Sequence, residues 1–302
     1  MFSARTRLIV LSAALVVASV LVIGASASTS WPSCLGEPAT IVGTDGNDTI
    51  NGTSGDDVIA ALAGDDVVTS GGGSDLICGG DGNDALVATS GGESLFDAAV
   101  MSGDAGDDRI QGAKDTFVVA DYESSPEPVT ANLGAGTESG WGNDTLVRVT
   151  LVDGSPNDDV LTGSAGTDGL YGEAGNDTIV GLGGGDYLGG GPGDDKIDGG
   201  TGRDWVDYYD APAGVHVSLA KGTASGAAGA DTFRSIELVY GSKHSDVLVG
   251  SPGTDRLEGA GGNDKLYGGK GKDTLDGGKG KDRADGGPAR DVCRAERTVR
   301  CP

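Results

Sequence analysis

Between Gly43 and Val87 an aspartate returns every nine residues, at Asp48, Asp57, Asp66, Asp75 and Asp84. An apolar residue follows each two places later, at Ile50, Ile59, Val68, Ile77 and Leu86. A helical face repeats about every 3.6 residues and a strand face every two, so neither an amphipathic helix nor a hairpin meander produces this pattern. The same frame returns with Asp159, Asp168, Asp177, Asp186, Asp195 and Asp204, and again with Asp246, Asp255, Asp264, Asp273, Asp282 and Asp291. In both runs the apolar column follows: Leu161 to Val206, then Leu248 to Cys293. A period kept in register over three runs predicts stacked repeats, each unit burying its apolar residue against its neighbours.

Glycine supplies 57 of the 302 residues and aromatics are few, so the core has to be thin. Glycine falls short of one residue in three and has no period of three, which excludes a collagen triple helix. The formal charge of −25 argues against a nucleic-acid partner. From Lys243 to Pro302 the charges nearly balance, with 12 Lys and Arg against 10 Asp and Glu, so the negative excess lies upstream.

The opening segment has Arg5 and Arg7, an apolar run from Leu8 to Ile23, and Ala25-Ser26-Ala27 at a cleavage position. It reads as a secretory signal peptide, residues 1–27. The rival reading is an uncleaved anchor, for which the run is short. No later segment is apolar enough to span a bilayer. The four cysteines fit disulfides in an exported chain better than a zinc site, because no CxxC pair accompanies them. Of three connectivities, Cys34 with Cys78 and Cys293 with Cys301 is expected, each joining one end of the array to nearby chain.

The most regular units are "GGDGNDALV" from Gly79, "GGPGDDKID" from Gly190, "GGTGRDWVD" from Gly199, "GGKGKDTLD" from Gly268 and "GGKGKDRAD" from Gly277. These units resemble the GGxGxDxUx nonapeptide of the haemolysin-type, or RTX, calcium-binding repeat family. The resemblance implies an all-β parallel β-roll (a β-solenoid), interrupted by two short non-consensus inserts. Two nonapeptides make one 18-residue coil, with Ca2+ held between stacked turns by carbonyls and the sixth-place Asp. Calcium is suited to such a set of six to eight oxygens. The expected metal ligands are Asp48, Asp57, Asp66, Asp75, Asp84, Asp168, Asp177, Asp186, Asp195, Asp204, Asp255, Asp264, Asp273 and Asp282.

If a run of n units holds n−2 ions, the three runs hold at most eleven. Asn157, His244 and Ala289 replace the fourth-place glycine, which makes the sites of Asp159, Asp246 and Asp291 the weakest. The first run decays where Glu93 takes the Asp place and six residues intrude before Asp108. Glycines at the first, second and fourth places are expected to permit positive φ and to bring backbone carbonyls into a concave turn with no Cβ in the way. A bland reading, in which the Asp only stabilise polar turns, leaves stacked like charges without a counter-ion.

"VTANLGAGTESG" from Val129 matches "VHVSLAKGTASG" from Val215, and "LVDGSPNDD" from Leu151 matches "LVYGSKHSD" from Leu238, which indicates a duplication. The organisation expected is a signal peptide at 1–27, an N-terminal cap at 28–42 and a first run at 43–114. An insert with the second run follows at 115–203, and an insert with the third run and C-terminal cap at 204–302. The apolar pieces Phe117 to Ala120 and Val215 to Leu219 are expected to lie against the roll as short strands. Lys270, Lys272, Lys279 and Lys281 are expected to form two outward rows.

No HExxH or GxSxG motif is present, and His216 and His244 read as structural or exposed. The leading reading is a secreted, extracellular, monomeric calcium-binding β-roll that folds with calcium and acts as a non-enzymatic structural or binding module, with an extracellular or cell-wall glycan as a candidate partner. The alternative is a calcium-dependent enzyme on anionic polysaccharide, a lyase or epimerase. A groove of clustered Tyr, Lys and carboxylate at the inserts would favour that alternative.

Overall fold

A computed structural model describes residues 32–89, 98–114, 116–226 and 228–301. The signal peptide expected at 1–27, the first residues of the cap segment and Glu93 lie outside the described residues. The described chain contains strands and turns and no helix. Its described residues form two compact units, one from those up to Asp121 with Gly142–Val149, the other from Tyr122–Trp141 with those from Thr150 on.

Each nonapeptide makes a turn from its first six places and a strand from its last three. The middle strand residue points inward, as alternation requires. In the first unit, Thr49–Asn51, Val67–Thr69 and Ala85–Val87 pair in parallel with an 18-residue step, Ile50 on Val68 on Leu86. Ile41–Val42 pairs with Val58–Ala60, which pairs with Leu76–Asp81, to begin the other sheet. In the second unit Leu161, Ile179 and Ile197 stack in one ladder and Leu170, Leu188 and Val206 in the other. These inward side chains are buried, most of them completely, so the core is a single file of apolar residues from each sheet.

The step lengthens where the repeat breaks. Leu76 pairs with Val100 and Ala85 with Arg109, a step of 24 that absorbs the six intruding residues and sets Ala99 beside Asp75. Arg109 pairs with Thr145 and Lys196 with Thr232, steps of 36 that leave room for the inserts.

The inserts are hairpins, and they are rungs of the ladder instead of strands laid against it, a correction to the sequence expectation. In the second insert Val215–Ser218 pairs antiparallel with Thr223–Gly226, which pairs antiparallel with Thr232–Arg234 at Thr223. Val215–Ser218 then runs parallel to Val247–Val249. Such a strand has backbone groups to satisfy on both sides, and the open ends of the two runs satisfy them. Val118–Asp121 likewise continues the parallel ladder of Ala99–Ala105.

Cys34 is bonded to Cys78 and Cys293 to Cys301, with Cα atoms 5.5 and 6.0 Å apart. The four lysines do not form two rows. Consecutive nonapeptides occupy opposite edges of the coil, so Lys270 and Lys272 share an edge with Ser251, and Lys279 and Lys281 share the other with Ala260 and Asn263.

Candidate metal centre

The sixth-place aspartates form continuous columns. Each uses Oδ1 to accept the backbone N–H of the Asp one coil earlier: Asp159 N–H donates to Asp177 at 2.7 Å, Asp177 to Asp195 at 2.9 Å, and Asp186 to Asp204 at 2.9 Å. The first and third runs repeat this from Asp48 to Asp66 and from Asp246 to Asp264 to Asp282. The fifth place builds a second ladder of opposite polarity, chiefly on one edge. There the N–H of Asn176 donates to Asp158 Oδ1, and that of Asp194 to Asn176 Oδ1.

The second carboxylate oxygen divides the turns into two classes. In the first two units of every run the second place is Thr or Ser: Thr44, Thr53, Ser155, Ser164, Ser242 and Ser251. Its backbone N–H donates to Oδ2 of the sixth-place Asp at 2.5–2.7 Å, giving Asp48, Asp57, Asp159, Asp168, Asp246 and Asp255 partners on Oδ2. Further along each run no such donor is present. Oδ2 is then buried with no hydrogen-bond partner in Asp66, Asp75, Asp84 and Asp108, in Asp177, Asp186, Asp195 and Asp204, and in Asp264, Asp273 and Asp291. A buried carboxylate oxygen without a partner is costly in a protein and calls for a compensating charge.

The glycines leave room for one. A Cβ on Gly268 would stand 2.5 Å from Asp273 Oδ2 and 2.7 Å from the Gly286 carbonyl oxygen, one coil on. At Gly163 it would meet the Gly181 carbonyl oxygen and Asp168 Oδ2 at 2.5 and 2.8 Å. These first-place glycines do not have positive φ, contrary to that half of the expectation; they leave room for the carbonyls, as the other half has it. Positive φ belongs to the second place of the later turns, at Gly80, Gly191 and Gly269, and, as expected, to the fourth place of many, at Gly64, Gly82, Gly175 and Gly262. Leu62, Glu173, Leu182 and Ala260 adopt it at the second place at some strain.

Burial pushes these carboxyls up: to about 7 for Asp75, Asp177, Asp195 and Asp264, about 6 for Asp84, Asp186 and Asp273, and about 8 for Asp108. The N–H from the preceding coil opposes the rise, and neighbouring carboxylates add to it. Among the described residues no three His, Cys, Asp or Glu side chains converge as a metal cluster. Carboxylates spaced one per turn leave most ligand positions to backbone carbonyls.

The family model of the RTX calcium-binding nonapeptide repeat (four copies) matches at residues 40–68, 51–86, 99–115, 153–188, 180–208, 240–275, 249–284 and 258–293. Together these matches cover more than half of the chain. The chain belongs to this family. No curated protein matches it.

The RTX repeats therefore bind calcium, and the residues present fit a hard divalent cation: anionic oxygens that lack partners, carbonyls from the next coil close by, and no soft ligand. Of the expected ligands, ten have an open oxygen or lie in a later turn. Asp48, Asp57, Asp168 and Asp255 are instead engaged by the Thr or Ser of their own turns. Asp108 and Asp291, left out of the expected set, have the open geometry.

Two further aspartates join the columns out of frame. Asp144 Oδ1 accepts the Asp108 N–H at 2.9 Å, and Asp231 Oδ1 the Asp195 N–H at 3.2 Å. The signal for them was present in "GWGNDTLV" and "GADTFR", which repeat the G-x-D-T element 15 residues before the next run. Asp231 ends its column, because its N–H donates to the Ala224 carbonyl instead of to a further carboxylate, and the hydroxyl of buried Tyr208 donates to its Oδ2 at 2.8 Å. Glu237 and Glu296 take the same ladder role, accepting the N–H of Asp204 and of Asp282.

Proposed function

We propose that this chain is a secreted, monomeric, non-enzymatic extracellular module whose β-roll forms when calcium occupies the later turns of each run. The ligands are Asp66, Asp75, Asp84 and Asp108 in the first run, Asp177, Asp186, Asp195 and Asp204 in the second, and Asp264, Asp273, Asp282 and Asp291 in the third. The turns of Asp48, Asp57, Asp159, Asp168, Asp246 and Asp255 act as starter turns held by Ser and Thr. One observation supports this most: eleven buried column carboxylates have an oxygen with no partner, and all lie in later turns. Without a cation, repulsion between these charges opposes a thin core and a glycine-rich backbone that loses about 1–2 kcal/mol of entropy per residue. Circular dichroism tests the reading. The chelated chain should lack the β signal and gain it with calcium at roughly 10⁻⁴–10⁻³ M, as extracellular modules do. A β spectrum indifferent to chelator would reject it.

The enzyme reading has one observation in its favour. At the second insert the Tyr209 and Tyr240 rings lie 5.4 Å apart, with Lys243 Nζ 4.2 Å from the Tyr209 ring centre and 2.7 Å from Asp210 Oδ1. The hydrogen bond to Asp210 raises the Lys243 pKa. A lysine held charged is a poor general base, which sets lyase chemistry behind the binding reading. Absence of unsaturated product from polyuronate incubated with the calcium-loaded chain would agree with that order.

A further inference from the structure

On the outer face of one ladder in the second unit, His216, Val247, Lys265, Arg283 and Arg297 are aligned in register on successive rungs. The side chains of Lys265, Arg283 and Arg297 are exposed. Rungs are about 4.7–4.9 Å apart, so three cations stand one rung from each other, an arrangement that repels itself. Among the described residues none of the three side chains makes a hydrogen bond or ion pair. Asp285, two residues after Arg283, already accepts from Arg300 Nε and Nη2, each at 2.7 Å, with Arg283 only reinforcing its low carboxyl pKa.

The opposite sheet of the same coils is different. There the outward arginines are paired with carboxylates, Arg256 with Glu258 and Arg294 with Asp276. The unpaired row is thus a property of one face and not of the composition.

We propose that the row of Lys265, Arg283 and Arg297 binds a linear uronate-bearing polysaccharide laid along the stack. The inference rests on the calcium-loaded roll proposed above. Six carboxylates holding up to four divalent ions are no longer a net negative charge, so the exposed cations are not needed to neutralise the column beneath them. A uronate chain carries one carboxylate on every ring, whereas an extended acidic peptide also brings backbone N–H and C=O groups that the face of a fully paired ladder does not satisfy. Duplex nucleic acid calls for a broad basic surface, whereas this strip is one side chain wide on a protein of charge −25. Tyr267 follows Lys265 on the same face and is half-buried, offering an aromatic face to the C–H side of a sugar ring.

The test compares two triple variants of the full, calcium-loaded chain at one fixed calcium concentration. Lys265→Gln/Arg283→Gln/Arg297→Gln removes the row. Lys270→Gln/Lys272→Gln/Arg290→Gln removes the same charge from exposed places on one edge. The probes are oligogalacturonate too short to gel, a neutral oligosaccharide of equal length and a single-stranded oligonucleotide. The first variant should bind oligogalacturonate on the order of tenfold more weakly with a shallower salt dependence, and the second should change by less than about twofold.

Equal losses, no binding by the unmodified chain, or tighter binding of the oligonucleotide would overturn the proposal. If the first triple variant does not fold, Arg297→Gln alone supplies the comparison, with a loss of about threefold expected and an unchanged affinity counting against the row. The calcium midpoint of folding, read by circular dichroism in the same samples, separates the two readings. A chain that folds with calcium but ignores oligogalacturonate refutes only the row, while a β signal indifferent to calcium refutes the calcium-dependent roll.

Discussion

The carboxylate of Asp177 accepts the backbone N–H of Asp159 through Oδ1 at 2.7 Å and leaves Oδ2 buried without a partner. Asp159 has the same sequence position one coil earlier, yet its own Oδ2 accepts the Ser155 N–H at 2.6 Å. Two residues equivalent in the repeat therefore differ in the one atom that bears on metal binding.

Asp177→Ala should lose about one bound calcium and raise the calcium midpoint of folding, because coupling between neighbouring coils carries the damage along the run. Asp159→Ala should leave the stoichiometry nearer that of the unmodified chain while lowering stability, as loss of a capping carboxylate does, by about 0.5–2 kcal/mol. Calcium titration by calorimetry beside thermal unfolding checks both. Equal ion losses would mean that the two classes of turn are not distinct.

Proton and calcium should compete. The raised carboxyls, at about 6 to 8 in the folded chain against an ordinary 3.8, favour the protonated form. In the calcium-free chain their contribution is fully present below about pH 4 and is lost as pH rises through 6 to 8. Calcium needs the ionised form, so its midpoint should fall as pH rises, with protons released on binding near pH 4, where the carboxyls of the unfolded, calcium-free chain are still part-protonated. Calorimetry in two buffers of different ionisation heat measures that release; none at pH 4 would contradict the assignment.

Gly268→Ala should be more harmful than its small size suggests. The new methyl would stand 2.5 Å from Asp273 Oδ2 and 2.7 Å from the Gly286 carbonyl oxygen. Overpacking of this kind costs about 1–3 kcal/mol, and here it also fills the space between two oxygens suited to a cation. The expected result is a higher calcium midpoint with loss of about one ion, read by the same titration.

Removing the Cys34–Cys78 bond by Cys78→Ser should destabilise the first unit selectively. The bond closes 44 residues, for which chain entropy predicts about 4 kcal/mol. Hydrogen exchange should show faster exchange in Thr49–Val87 than in the second unit, and uniform exchange would count against a local staple.

The nine-residue register, the inward apolar column and the parallel 18-residue step were legible because each follows from local periodicity. Ile50, Val68 and Leu86 could stack in no other frame. The pairing of the cysteines was legible for the same reason, since the repeat places each pair at one end of the array. The places where the reading fell short are those where a residue's meaning depends on the next coil. First-place glycines were expected to adopt positive φ as well as to leave room, but Gly268 has no positive φ and leaves room for an oxygen 18 residues away. The inserts were read as strands beside the roll, whereas Val215–Ser218 completes a ladder whose open edge the sequence does not display.

The sequence by itself determined the period, the residue facing the core, the carboxylate recurring in each turn and hence the calcium-binding family. These are properties of one repeat unit, and period and composition suffice to specify them. Only the tertiary structure decided which carboxylates remain open, that Asp144 and Asp231 join the columns, and that Lys265, Arg283 and Arg297 stand in a line while Lys270 and Lys279 are parted to opposite edges. The physical reason is that hydrogen-bond saturation and charge alignment arise between coils, from atoms 18 to 36 residues apart, so they exist only once the stack has formed.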